Sequence, residues 1–131
     1  TRKITSHVAR IKKGLSKELR LGNLEAKRDW GHAKDYVEAM WLMLQMDYPE
    51  DYVVGSGESH SVREFCEVAF SYVGLDYREF VISDPTYYRP AEIYDLVADA
   101  SKARQKLGWK NKYSFEDLIK EMVEADLRNA K

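Results

Sequence analysis

The sequence predicts a helix-rich, mixed α/β fold of about five helices and three short strands in one compact unit. Three observations carry this expectation. Apolar residues recur at helical spacing, short runs of strand-forming residues end in glycine or asparagine, and two serine-led capping boxes mark helix starts. The length of 131 residues fits a single domain over 1–131, given a usual span of about 100–200 residues per domain. Hydrophobic content of 44% beside 33% charge suits a soluble globular protein that can bury a real core.

In chain order, residues 3–13 place Ile4, Val8 and Ile11 on one helical face, with Gly14 as the stop. Residues 18–23 alternate Leu19 and Leu21 around Arg20, a short strand closed by Gly22 and Asn23. Residues 33–46 repeat Val37, Met40, Trp41 and Leu44 as one apolar stripe of an amphipathic helix that stops before Pro49. "DYVVGSG", at 51–57, reads as a buried strand followed by glycine punctuation. Ser61 to Glu64 form a capping box ahead of Phe65, Val68, Ala69 and Val73. "REFVISD" is the third strand, "PTYYRPAE" a turn-rich loop, and "DASKARQKLGW" a short helix capped near Asp99. Ser114 to Asp117 open the last helix, with Phe115, Leu118, Ile119, Met122 and Val123 inside.

Charge narrows the function classes. Residues 1–28 carry nine Lys/Arg against Glu18 and Glu25, a balance of +7, while the remainder balances at −8. A nucleic-acid binder shows a basic excess over a whole domain, which is missing here. The basic first quarter reads as a solvated helix face or as a local pocket for a small anion. No apolar run is long enough for a membrane span and no signal-peptide pattern opens the chain. The single Cys66 lies among helix-patterned residues, which points to a core role and a reducing, cytoplasmic setting. Three scattered histidines and one cysteine make no metal cluster.

Catalytic signatures are absent too. Gly55-Ser56-Gly57-Glu58-Ser59-His60 lacks the third glycine of a dinucleotide turn, no tyrosine is followed by lysine four positions on, and neither a phosphate-loop motif nor Gly-x-Ser-x-Gly occurs. Two arginine-centred turns remain. Arg28, just ahead of a helix, offers a planar fork for phosphate oxygens beside the positive helix start, with Asp29 to orient it, Trp30 to pack the turn and Gly31 to allow close approach. The plainer reading pairs Arg28 with Asp29 on the surface and puts Trp30 in the core. Arg89 is held extended by Pro90, and Glu92 offers two acceptor oxygens suited to the cis hydroxyls of a ribose; the plainer reading is a loop ion pair. His32 reads as packing or capping.

"TRKI", "LGNLEAKRDWGHAKDYVEAMWLMLQ", "HSVREF", "YYRPAE" and "DASKARQKLGW" closely resemble, in unbroken order, the carboxyl-terminal part of the GDP-mannose 4,6-dehydratase family, extended short-chain dehydrogenase/reductases. The resemblance implies the substrate-binding domain of such an enzyme, without its Rossmann half. The parent would be an NADP-dependent lyase converting GDP-mannose to GDP-4-keto-6-deoxymannose, the first committed step toward GDP-fucose. In that family hydride leaves sugar C4, water is lost across C5 and C6, and hydride returns at C6. The residues running this chemistry, and the NADP turn, lie in the amino-terminal half.

By resemblance, then, no residue of this chain is catalytic, no NADP binds to it alone, and it is inactive by itself. Arg28 and Arg89 would contact the diphosphate, Glu92 the ribose, Arg2 and Arg10 the guanine side, and Gly22 and Asn23 would form a backbone wall. Tyr94 and Ala98 depart from the family's usual small acidic residue and glycine. The implied partners are GDP-mannose or GDP and the missing amino-terminal domain, which would leave an apolar face uncovered here, with full-length enzymes forming homo-oligomers. A free-standing, non-catalytic binding module, or the same domain from a dTDP- or UDP-sugar enzyme, are the alternatives.

Overall fold

The computed structural model describes residues 1–89, 91, 93 and 95–131. Among the described residues, five α-helices and four short strands follow in the order α1 (Arg2–Lys12), β1 (Leu19–Leu21), β2 (Lys27–Arg28), α2 (Ala33–Leu44), β3 (His60–Ser61), α3 (Val62–Tyr72), β4 (Val81–Ser83), α4 (Ser101–Leu107) and α5 (Phe115–Asn129). Single 3-10 turns at Tyr77–Glu79 and Pro85–Tyr87 flank β4. β1 runs parallel to β4 with Leu19 opposite Val81, and β2 runs antiparallel to β3 with Arg28 opposite His60.

The helix starts follow their local chemistry. Ser61 and Ser114 each accept a hydrogen bond from the backbone N–H three residues on, while Glu64 and Asp117 reach back, so both capping boxes form. Asp99 accepts from the Ser101 backbone N–H at 2.9 Å at the start of α4. Past α1 the chain turns at Gly14, whose φ of 71° suits a residue without Cβ.

The main core lies where α1, α3 and α5 pack together over β1. Ile4, Val8 and Ile11 meet Leu19, Phe65, Phe70, Ile119 and Val123 there, and Cys66 is fully enclosed. Thr5 on α1 donates to the buried Asp126 of α5 at 2.7 Å, a polar tie inside that contact. A second, smaller cluster joins α2 to α4 through Ala39, Ala100, Ala103, Leu107 and Trp109. The Trp109 indole N–H donates to the Asp35 carbonyl at 2.8 Å, and the buried Asp35 carboxylate accepts from the Lys112 and Tyr113 backbone N–H groups.

The α2 stripe is intact and faces outward: Val37, Met40, Trp41 and Leu44 are 62%, 60%, 59% and 82% exposed, and the side turned to the second cluster is Asp35 and Ala39. One expectation is corrected. Residues 51–57 belong to no strand, because they have no ladder partner among the described residues, and Val53 is exposed. The short β2–β3 ladder was not foreseen. No described helix is long and apolar enough to cross a membrane.

Candidate binding cleft

A cleft of about 300 Å³ opens between the start of α1, the β1–β2 connection and the Pro85–Arg89 turn. Its apolar floor is Ile4, Leu21, Ala26, Trp30 and Val62, and its polar rim is Lys3, Asn23, Arg28, Tyr87 and Arg89. Arg28 and Arg89, read separately from the sequence, thus line one cavity, together with the predicted wall of Gly22 and Asn23. Three cations at the rim of an apolar hollow suit an anion with a flat, hydrophobic body. Glu92, Pro90 and Tyr94 lie outside the described residues.

The approach to α2 shows why so many special residues stand together. Arg28 ends β2 and donates to the carbonyls of Lys27 and Ile93, each at 2.6 Å. Asp29 accepts from Ser56 N–H at 2.9 Å, Ser56 Oγ at 2.6 Å, Gly57 N–H at 2.9 Å and Ala98 N–H at 3.1 Å. Burial pushes its carboxyl up, but these hydrogen bonds outweigh burial and hold it below the usual carboxylate value. Trp30 packs edge-on against Phe65 at 5.3 Å and stacks on Phe115 at 5.8 Å, so it joins the core while lining the cleft. A Cβ on Gly31 would stand 2.1 Å from the Tyr36 hydroxyl. His32 caps α2, with Nδ1 accepting from the Lys34 backbone N–H at 3.1 Å and Nε2 lying 3.1 Å from Glu121.

Gly22 is set by contact as well. A Cβ there would stand 2.5 Å from the Tyr87 carbonyl oxygen, so only glycine lets β1 lie against the Pro85–Tyr87 turn. Asn23 closes its own turn by accepting from the Glu25 backbone N–H at 2.9 Å. Asp84, in turn, caps the Pro85–Tyr87 turn through the Thr86 backbone N–H at 3.0 Å.

Arg2 and Arg10 stand elsewhere. They line a separate hollow between α1 and α5 with Asp126 and Asn129, and Arg2 pairs with Asp126 at 2.9 Å. Helical phase separates them from the cleft: Arg2, Ser6 and Arg10 form one row that faces α5, whereas Lys3 faces Tyr87, its ammonium 4.1 Å from the ring centre. Lys3 and Tyr87 are the cleft residues that sequence reading missed; "TRKI" and "PTYYR" held the signal, but not which of two adjacent cations points inward. A hollow of about 390 Å³ at the end of α3 contains neither arginine, and its Arg78 is bound to Asp76 at 2.6 Å.

Residues 1–122 match the sequence model of the GDP-mannose 4,6 dehydratase family. The chain is 57% identical over 131 residues to GDP-mannose 4,6 dehydratase 1 of Arabidopsis thaliana, all of this chain and 36% of that one. It is 49% identical over 144 aligned positions to the human GDP-mannose 4,6 dehydratase, across 97% of this chain and 39% of the relative. In structure it is similar to RMD from Pseudomonas aeruginosa, solved with NADPH, at a TM-score of 0.88 and 20% identity over 98% of this chain and 42% of that one. This likeness shows the shared fold. The chain therefore spans well under half the length of these relatives. Over that span, the match and the identities are those of kin: this chain belongs to the GDP-mannose 4,6-dehydratase family.

Proposed function

We propose that the chain is the nucleotide-sugar-binding part of a GDP-mannose 4,6-dehydratase and that its cleft holds the diphosphate of GDP-mannose. The observation that carries this reading is the convergence of Arg28 and Arg89 on one cavity with Lys3 beside them. A diphosphate leaving water needs paired charge, and two guanidinium groups supply it with directional N–H donors while the apolar floor takes the flat nucleoside. Glu92 is assigned to the ribose hydroxyls by its place in "RPAE".

The parent enzyme converts GDP-mannose to GDP-4-keto-6-deoxymannose in the cytoplasm as a homo-oligomer, and this chain binds and orients substrate without turning it over. NADP supplies the hydride chemistry of the parent. The described residues do not fit that cofactor: the amides of Ser56 and Gly57, which a dinucleotide turn would aim at phosphate, are spent on Asp29. NADP is therefore assigned to the parent's amino-terminal part. The exposed Val37, Met40, Trp41 and Leu44 face supports a second body of the enzyme packing against α2.

Calorimetry with GDP tests the reading. Arg28→Ala is expected to weaken binding by about 1.5–3 kcal/mol, the scale of hydrogen bonds to a charged group. Equal affinity of the two proteins would sink the assignment. Thermal shifts with GDP, dTDP and UDP should rank GDP first; a larger shift with dTDP or UDP moves the domain to another sugar-nucleotide enzyme.

A further inference from the structure

We infer that Asp29 is a positioning residue for the binding cleft: its carboxylate clasps two loops to the end of β2 and so fixes the direction in which the adjacent Arg28 points. The inference rests on reading the cleft as a diphosphate site.

The clasp is built from four donors on one carboxylate. Oδ1 takes the Ser56 N–H and hydroxyl, and Oδ2 takes the Gly57 and Ala98 N–H groups. The two loops meet at van der Waals limits, since a Cβ on Gly55 would stand 2.3 Å from the Ala98 Cβ and 3.1 Å from Asp29 Oδ2. Arg104 of α4 adds a bond to the Ser56 carbonyl at 2.8 Å, which ties the same loop to the second cluster.

Burial does not hold the described residues ahead of Ala98. Ile93, Leu96 and Val97 are all exposed, so their positions depend on polar ties. Those ties among the described residues are Arg28 to the Ile93 carbonyl, Ser59 to Asp95, and Ala98 N–H to Asp29. Arg28 and Asp29 therefore hold Ile93 and Ala98 from adjacent positions. With Asp29 gone, Ala98 loses that tie, the Ile93 carbonyl that holds the guanidinium together with the Lys27 carbonyl shifts, and Arg28 changes its place in the lining of the cleft.

The test is a double-mutant cycle on the 131-residue chain with GDP as probe. Asp29→Asn keeps the size of the side chain and removes its charge. It should weaken GDP binding roughly tenfold in the wild-type background and not at all in the Arg28→Ala background, whereas a general loss of stability would act equally in both. Ser56→Ala, which removes one donor and leaves the fold, should weaken binding a few-fold. Wild-type affinity in both variants, or full additivity with Arg28→Ala, overturns the inference. Amide hydrogen exchange separates it from the reading it rests on: Asp29→Asn should speed exchange at Ser56, Gly57 and Ala98 and spare the α1–α3–α5 core. Unchanged exchange means there is no clasp. Faster exchange in a chain whose wild type ignores GDP means that the clasp exists and the ligand reading, with the positioning role, has failed.

Discussion

The ammonium of Lys3 lies 4.1 Å from the centre of the Tyr87 ring, which brings the first turn of α1 to the rim of the arginine-lined cleft. Arg2, its neighbour, points the other way and pairs with the buried Asp126. Adjacent cations therefore separate into one that lines the cleft and one that ties α1 to α5, and the proposed diphosphate site predicts that only the first matters to GDP. Lys3→Ala should weaken GDP binding about tenfold, since one exposed ammonium on phosphate contributes less than a bidentate guanidinium. Arg2→Ala should leave GDP affinity within about twofold and cost about 1 kcal/mol of stability, because the Arg2 side chain is largely exposed and Thr5 still bonds Asp126. Calorimetry and chemical denaturation on the pair decide it. A larger affinity loss in Arg2→Ala would return that residue to the site.

The outward face of α2 gives the second prediction. Trp41 and Leu44 contribute little to this chain's own core, so Trp41→Ser with Leu44→Ser should change its stability by no more than about 0.5–1 kcal/mol. Association with the amino-terminal part of the parent should weaken by at least about 2 kcal/mol, since burying such side chains is worth about 1.5–3 kcal/mol each. Co-purification of the two parts, with and without the substitutions, reads this directly. Undiminished association would put the second body on another face.

These two cases mark the boundary between what the residues announce and what they leave open. Ser61 with Glu64 and Ser114 with Asp117 fix their helix starts by local hydrogen bonds, and local chemistry is what a sequence displays. Arg28 and Arg89 stood out in the sequence as two arginine-centred turns, each with a plainer reading as a local ion pair, and the sequence did not display that they line one cavity. The Val37–Leu44 stripe was legible as a stripe, but periodicity does not say what covers it. Residues 51–57 carry a strand pattern, yet a strand exists only against a partner. Arg2 and Lys3 differ by one helical step of about 100°, and the apolar pattern of α1 fixes its buried face without saying which neighbour occupies each flank.

Cys66 yields a prediction in pH. Burial pushes its thiol from an ordinary value of 9.0 up to about 12, with only partial opposition from the charge of Arg63. The folded chain keeps this proton after the unfolded chain has lost it. The contribution to stability is thus full below pH 9.0 and disappears as pH rises toward about 12. Alkylation by iodoacetamide at neutral pH should be negligible in the folded chain and rapid in denaturant, as thiolate and access are both lacking in the core. Stoichiometric labelling of the folded protein would contradict the packing of α3.

Gly22 tests whether the wall of the cleft is held by backbone contact. A Cβ there meets the Tyr87 carbonyl oxygen at 2.5 Å and its carbon at 2.9 Å, and neither can rotate away as a flexible side chain would. The Pro85–Tyr87 turn would have to shift, against the Asp84 cap and the Ser83 hydroxyl bond to the Gly22 carbonyl at 3.2 Å. Gly22→Ala should therefore cost about 1–3 kcal/mol of stability, the range for overpacking. It should also weaken GDP binding at least about tenfold, because Tyr87 and the Arg89 beyond it move together. Gly14→Ala is the control: its φ of 71° costs stability, but open space surrounds it and the cleft is remote, so GDP affinity should hold. Equal losses of affinity in the two variants would mean that the effect follows stability alone, and that the turn does not depend on a glycine at position 22 to place Arg89.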